Sequence, residues 1–121
     1  MKLYFYILGS DREFNPETRT FEDYAFKVRV EECEVVEKPK TYRAVTRFPK
    51  GLYIEYVKKA DIGKIFDSLT PYIVLTAPNY QFVKDKFLER YNVEIHRLKK
   101  TIAMYEDKIA VIEDYKEDAK C

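Results

Sequence analysis

The stretch LERYNVEIHRLKKTIAMYEDKIAVI, residues 88–112, decides how the rest of the chain is read. Leu88, Tyr91, Ile95, Leu98, Ile102, Tyr105, Ile109 and Ile112 follow one another at alternating spacings of three and four. That alternation places all of them on one stripe of an α-helix. Upstream, Thr76 is a good N-cap and Pro78 is tolerated in a first turn. From Pro78 to about Lys116 there is neither a glycine nor a further proline. One helix over 77–118 is therefore expected, roughly 60 Å long at about 1.5 Å per residue. Such a helix outruns any sheet this chain could build, because a five-residue strand spans only about 17 Å. Its first turns, widened by Phe82, Val83 and Phe87, are expected to pack on the sheet of the same chain. Its distal half is expected to pair with another molecule.

Taking Leu88, Ile95, Ile102 and Ile109 as heptad a positions makes Tyr91, Leu98, Tyr105 and Ile112 the d positions. Phe87, Glu94, Thr101 and Lys108 then fall at g, and Asn92, Lys99, Glu106 and Glu113 at e. In a parallel pair Glu94 meets Lys99 and Lys108 meets Glu113, each attraction contributing a few tenths of a kcal/mol. Tyrosine at two d positions suits a tight two-stranded coil poorly. Ala103, Met104, Ala110 and Val111 add a second apolar strip at b and c. The expectation is a homo-oligomer, a dimer or higher. Packing on the chain's own body and docking in a foreign groove are the alternatives.

The part before the helix reads as strands. Residues 2–8 alternate and are rich in Tyr, Phe and Ile, the pattern of a half-buried strand. Residues 9–22 are polar, with Gly9, Asn15 and Pro16, and read as a loop. Apolar positions then run Tyr24, Phe26, Val28, Val30 and shift parity to Cys33 and Val35. A one-residue slip flips every later side chain to the other face, so a β-bulge is expected at Glu31-Glu32. Residues 41–48 and 52–57 read as two further strands around a turn at Phe48-Pro49-Lys50-Gly51. The segment 58–69 reads equally as one helical turn or a tight loop, and Tyr72-Ile73-Val74-Leu75 as a fully buried strand. The chain is thus expected to be one α+β domain over 1–121, with residues 1–76 mainly a small antiparallel sheet of about five strands. The long C-terminal, coiled-coil-like helix follows.

Composition removes several classes of function. The 121 residues include 11 Tyr and 8 Phe, and the net charge is +1. A chain this aromatic folds, and one this neutral has no global field to draw in nucleic acid or an anionic membrane, nor the acidic surface of a DNA mimic. Two cysteines, Cys33 and Cys121, are too few for a disulfide framework. The apolar run Leu3–Leu8 is shorter than a signal peptide needs, and no stretch approaches the ~20 apolar residues of a membrane span. A cytoplasmic protein that does not enter membranes is expected.

No residue pattern argues for catalysis. The single histidine, His96, lies mid-helix beside Arg97, Lys99 and Lys100 without a carboxylate or second histidine four residues away, and reads as solvated surface rather than a ligand or base. Cys33 lies among Glu31, Glu32 and Glu34, which would raise its pKa and make it a poor nucleophile. Glu32 and Glu34 share a strand face but read as an exposed edge. Three glycines, Gly9, Gly51 and Gly63, cannot form a phosphate-cradling loop. No catalytic residue, metal ligand or cofactor is expected.

Charge is nonetheless uneven. Residues 38–64 carry Lys38, Lys40, Arg43, Arg47, Lys50, Lys58, Lys59 and Lys64 against Glu55 and Asp61, with Tyr42, Phe48, Tyr53 and Tyr56 interleaved. Basic residues among aromatics can bind single-stranded nucleic acid or a nucleotide. On a regular strand, however, Arg43 and Arg47 would share a face with Val45 and leave Tyr42 opposite, weakening a stacking platform. Arg43, Arg47, Lys50, Lys58, Lys59 and Lys64 are the candidate partner-binding residues, with a solvated hairpin rim as the plain alternative.

The block Glu32-Cys33-Glu34-Val35-Val36-Glu37-Lys38-Pro39-Lys40-Thr41-Tyr42, then Lys58-Lys59-Ala60-Asp61-Ile62-Gly63-Lys64, then a buried strand and a Lys/Glu-rich helix resembles small uncharacterised proteins of phages and mobile elements of Gram-positive bacteria. That pool includes anti-CRISPR and other counter-defence inhibitors, which act by binding. The resemblance implies a non-catalytic inhibitor or accessory factor that docks on a host protein in the host cytoplasm, and it supplies no functional residues.

Overall fold

The computed structural model describes residues 1–67 and 70–117, with the side chains of 11–15 and 21–25 left aside. By backbone contacts the chain divides into two compact units, Met1–Lys84 and Asp85–Cys121.

The first unit is a six-stranded antiparallel sheet of order β4-β3-β2-β1-β6-β5. Its strands are β1 (Lys2–Asn15), β2 (Thr20–Glu37), β3 (Thr41–Ala44), β4 (Val57–Lys58), β5 (Ile65–Phe66) and β6 (Tyr72–Leu75). The chain is α+β, with one strand more than the pattern suggested. The extra strand comes from 58–69, where a 3₁₀ turn (Lys59–Asp61) leads into β5. Ser68 and Leu69 lie outside the described residues, as does Cys121. The outer strands β4 and β5 are two residues each, so they themselves offer little backbone for edge-to-edge pairing.

Alternation along β1 gives the sheet two buried faces. Leu3, Phe5 and Ile7 lie with Cys33, Val35, Tyr72 and Val74 on one face, closed by Tyr42, Phe48, Leu52 and Val57. Phe5 is fully buried, edge-on to Phe48 at 5.7 Å between ring centroids. Tyr6, Ile73 and Leu75 face the other way, and Val83 of the opening helix turn is buried with them.

The 14-residue β1 and 18-residue β2 extend well past their other neighbours. On β1, β6 covers only Tyr4–Ile7, and on β2, β3 covers only Val35–Glu37. Residues 8–15 and 20–29 therefore form a two-stranded arm closed by Pro16–Arg19, with Arg19 in the left-handed region at φ 54°. The loop expected over 9–22 is thus mostly strand. Polar composition misled there because a polar stretch carries no apolar alternation by which a strand is read. The bulge is displaced as well. Register runs unbroken through Glu31-Glu32, and the shift falls between Asp11 and Arg12, opposite Ala25 and Asp23. Phe26, Val28 and Val30 change parity relative to Cys33 and Val35 because they occupy the opposite, open face of the same regular strand.

The helix α1 spans Tyr80–Asp114, about 50 Å at 1.5 Å per residue. Its cap is Asn79 rather than Thr76. The Asn79 side chain accepts from Phe82 N at 3.1 Å, and the Asn79 backbone N–H donates to the Tyr6 hydroxyl at 3.0 Å. One residue thereby ends the loop, opens the helix and ties its first turn to the sheet. Asn79→Ala should lower stability by about 1 kcal/mol in chemical denaturation; an unchanged midpoint would show that the cap is not needed.

Candidate functional site

The candidate residues are divided between the two units. The second unit is the helix from Asp85 onward, and its stripe is open. Leu88, Ile95, Leu98, Ile102, Tyr105, Ile109 and Ile112 are between 45 and 72% exposed, with Tyr91 half-buried and stacked on Phe87 at 6.2 Å. Met104 and Val111 of the second strip are exposed too. Charge along the helix is arranged partly within the chain. The Arg97 guanidinium donates to the Glu94 carboxylate three residues before it, holding that carboxyl below its usual range. Glu94 is therefore shared between Arg97 and any Lys99 of a second copy, which weakens the expected g–e attraction there. The Lys108 ammonium lies 5.3 Å over the Tyr105 ring, a cation–π contact that holds it beside the stripe.

In the first unit, 45–56 is not the strand pair read from sequence. The β3–β4 ladder stops after Thr41↔Lys58 and Tyr42↔Val57, and an ordered loop joins its strands. Phe48 and Leu52 pin the loop by entering the core, where each is 9% exposed. Between them Leu52 N donates to Pro49 O at 3.4 Å, and Gly51 takes φ 93°, a conformation open mainly to glycine at this turn position. Val45 N donates to Glu34 O at 2.9 Å, and the Cys33 thiol donates to Arg47 O at 3.2 Å.

These anchors separate the six basic candidates. Arg43, Arg47 and Lys50 line one open cleft of about 470 Å³ together with Tyr53 and Glu55. Lys58 and Lys59 line a second hollow with Pro39, Lys40, Tyr56 and Ala60. There Lys59 is bound to Glu37 at 2.7 Å and lies 5.5 Å over Tyr42. Lys64 stands apart, 3.8 Å from Asp61. Among the described residues the side chains of Arg47 and Lys50 have no hydrogen-bonding or ionic partner, and that of Arg43 meets only the face of Tyr56 at 5.6 Å. The six do not form one patch.

Two features escaped the sequence reading. Tyr53 is 96% exposed and sits at φ 54°, a left-handed conformation that costs a side-chain-bearing residue roughly 1–2 kcal/mol. Its only signal was its place in a basic, aromatic run, and a strand reading hid it. The arm is the other. Phe26, 73% exposed, lies with Val28 and Val30 on the sheet face that carries Tyr6. An alternating apolar row marks such a face but does not say whether it is covered.

The groups weighed for chemistry stand apart from one another. His96 is exposed on the helix. Glu32 is bound to Lys2 at 3.2 Å. Cys33 is buried, and burial first, then Glu34 and Glu31, push its thiol pKa up. Cys33 should accordingly react with thiol reagents at neutral pH far more slowly than a free cysteine, and Cys33→Ser should leave binding intact; fast labelling of Cys33 in a folded Cys121→Ser variant would contradict the burial. Among the described residues no cluster of His, Cys, Asp or Glu could hold a metal ion, and no helix is long and apolar enough to cross a membrane.

No protein-family model matches the chain, and searches of curated proteins and of solved structures give no match either.

Proposed function

We propose that this is a non-catalytic, homo-oligomeric binding protein, assembled through the distal helix, whose β-sheet unit presents the recognition surfaces. The observation that carries the reading is the open stripe from Leu88 to Ile112. A soluble monomer seldom leaves so long an apolar row in water, and heptad spacing fits a second copy of the same helix better than it fits a flat surface. The Lys108–Glu113 attraction favours parallel pairing. The partner implied by the resemblance is a host protein, docked by the sheet unit.

A helix draws most of its stability from packing of its apolar face rather than from intrinsic propensity. Helical ellipticity of the full chain should therefore rise with protein concentration through the association range. Ellipticity per residue that stays constant on dilution, alongside a constant monomer mass, would remove the reading.

A further inference from the structure

We propose that the cleft lined by Arg43, Arg47, Lys50 and Tyr53 binds a nucleotide unit: an aromatic base on the Tyr53 ring, with phosphate on the three cations. The proposal deepens the binding-protein reading, resting on its claim that the sheet unit carries recognition and not on helix assembly.

Four observations converge on one short loop. The cleft, at about 470 Å³, falls within the roughly 300–1,000 Å³ of small-ligand sites. Arg47 and Lys50 have no ionic partner among the described residues, and Arg43 meets only an aromatic face. Their charge is therefore not neutralised by the protein, whereas Lys59 and Lys64 in the same segment are paired with Glu37 and Asp61. Phe48 and Leu52 are locked into the core on either side of the Lys50-Gly51 turn, so the cations and the ring stand on a fixed frame and are not ordered at the ligand's expense. Finally, Tyr53 holds an almost fully exposed ring on backbone that disfavours any side chain. Strain kept at an exposed position points to use rather than packing.

The ligand chemistry follows from what these groups need together. An acidic peptide would satisfy the cations and leave the ring idle. An apolar ligand would cover the ring and bury unneutralised charge. A base joined to phosphate does both, with stacking that tolerates any base. Glu55, the single carboxylate on the lining, is left as an acceptor for a base amino group or a sugar hydroxyl. Such a unit can come from a free nucleotide or from a single strand.

The test is fluorescence anisotropy of the full chain with a labelled oligothymidylate of about ten nucleotides, repeated over a range of salt. Three phosphate contacts predict a slope of log K against log salt of about −2. Arg47→Ala and Lys50→Ala should each flatten that slope by about 0.7. Tyr53→Ala should weaken binding about five- to hundredfold with the slope unchanged, and Tyr53→Phe should bind as the parent does. Competition by an unlabelled nucleoside monophosphate identifies a free nucleotide as ligand; competition by oligonucleotides alone identifies a single strand. The proposal is overturned if the oligonucleotide and the monophosphate both fail to bind, if Tyr53→Ala binds undiminished, or if polyglutamate competes as well as the oligonucleotide. Circular dichroism establishes that each variant is folded. Light scattering on the same samples reads assembly separately, so a failed cleft and a failed helix interface give different results.

Discussion

Ile102→Asp is expected to dissociate the assembled protein, raising its dissociation constant about a thousandfold or more. Ile102 lies at the centre of the stripe and is 55% exposed in the single chain. Replacing it therefore removes little from the chain's own packing, and the lower helix propensity of Asp costs only a few tenths of a kcal/mol. In the proposed assembly the loss is large. Removing a buried isoleucine costs about 2–5 kcal/mol per copy, and two aspartates would then face each other across the seam. Even the lower end, counted for two copies, is about 4 kcal/mol, or three orders of magnitude in affinity. Ile109→Asp should act likewise. Lys100→Asp, at the solvent-facing f position, should leave association nearly unchanged. Sedimentation equilibrium distinguishes these outcomes, and an Ile102→Asp variant that associates like the parent would show that the stripe is not the interface.

The largest effect on the sheet unit is expected from Phe5→Ala, a loss of about 3–5 kcal/mol of stability. Phe5 is wholly buried at the centre of the sheet, 5.7 Å from Phe48 and 6.2 Å from Tyr72 between ring centroids. Its removal opens a cavity that β-strands on both sides cannot close. It also strips Phe48 of its edge-on partner, and Phe48 is one of the two anchors of the basic loop. Denaturant midpoints measure the first effect. A loss under about 1 kcal/mol would mean that the core collapses to fill the site and that the packing described is not tight.

The parts of this fold that could be read in advance were those where period and burial coincide. The helix was legible because eight apolar residues kept heptad spacing over a stretch without glycine or proline. Tyr72–Leu75 was legible as a short, wholly apolar run, and all four residues are buried. Where apolar residues lie on an open face, the reading failed. Phe26, Val28 and Val30 look like core by composition, and only the pairing of β2 with β1 shows them on the opposite side from Cys33. The basic segment failed for a related reason. Arg43, Val45 and Arg47 alternate as strand residues do, and β2 runs on beside them, yet its ladder with β3 ends at Val35↔Ala44 and β4 begins only at Val57. The chain instead forms a loop pinned by Phe48 and Leu52, and that loop brings Tyr53 to Arg43, Arg47 and Lys50. Contacts set by a turn at Gly51 carry no period, so the cleft had no signature beyond its composition.

The proposed binding function depends most on whether the helix stripe joins copies of the chain. Light scattering coupled to size exclusion, run on the unmodified protein at high micromolar concentration, measures this directly. The predicted result is a mass at least twice the 14.5 kDa of one chain, falling toward 14.5 kDa on dilution or on introducing Ile102→Asp. A mass of 14.5 kDa at every concentration would contradict it.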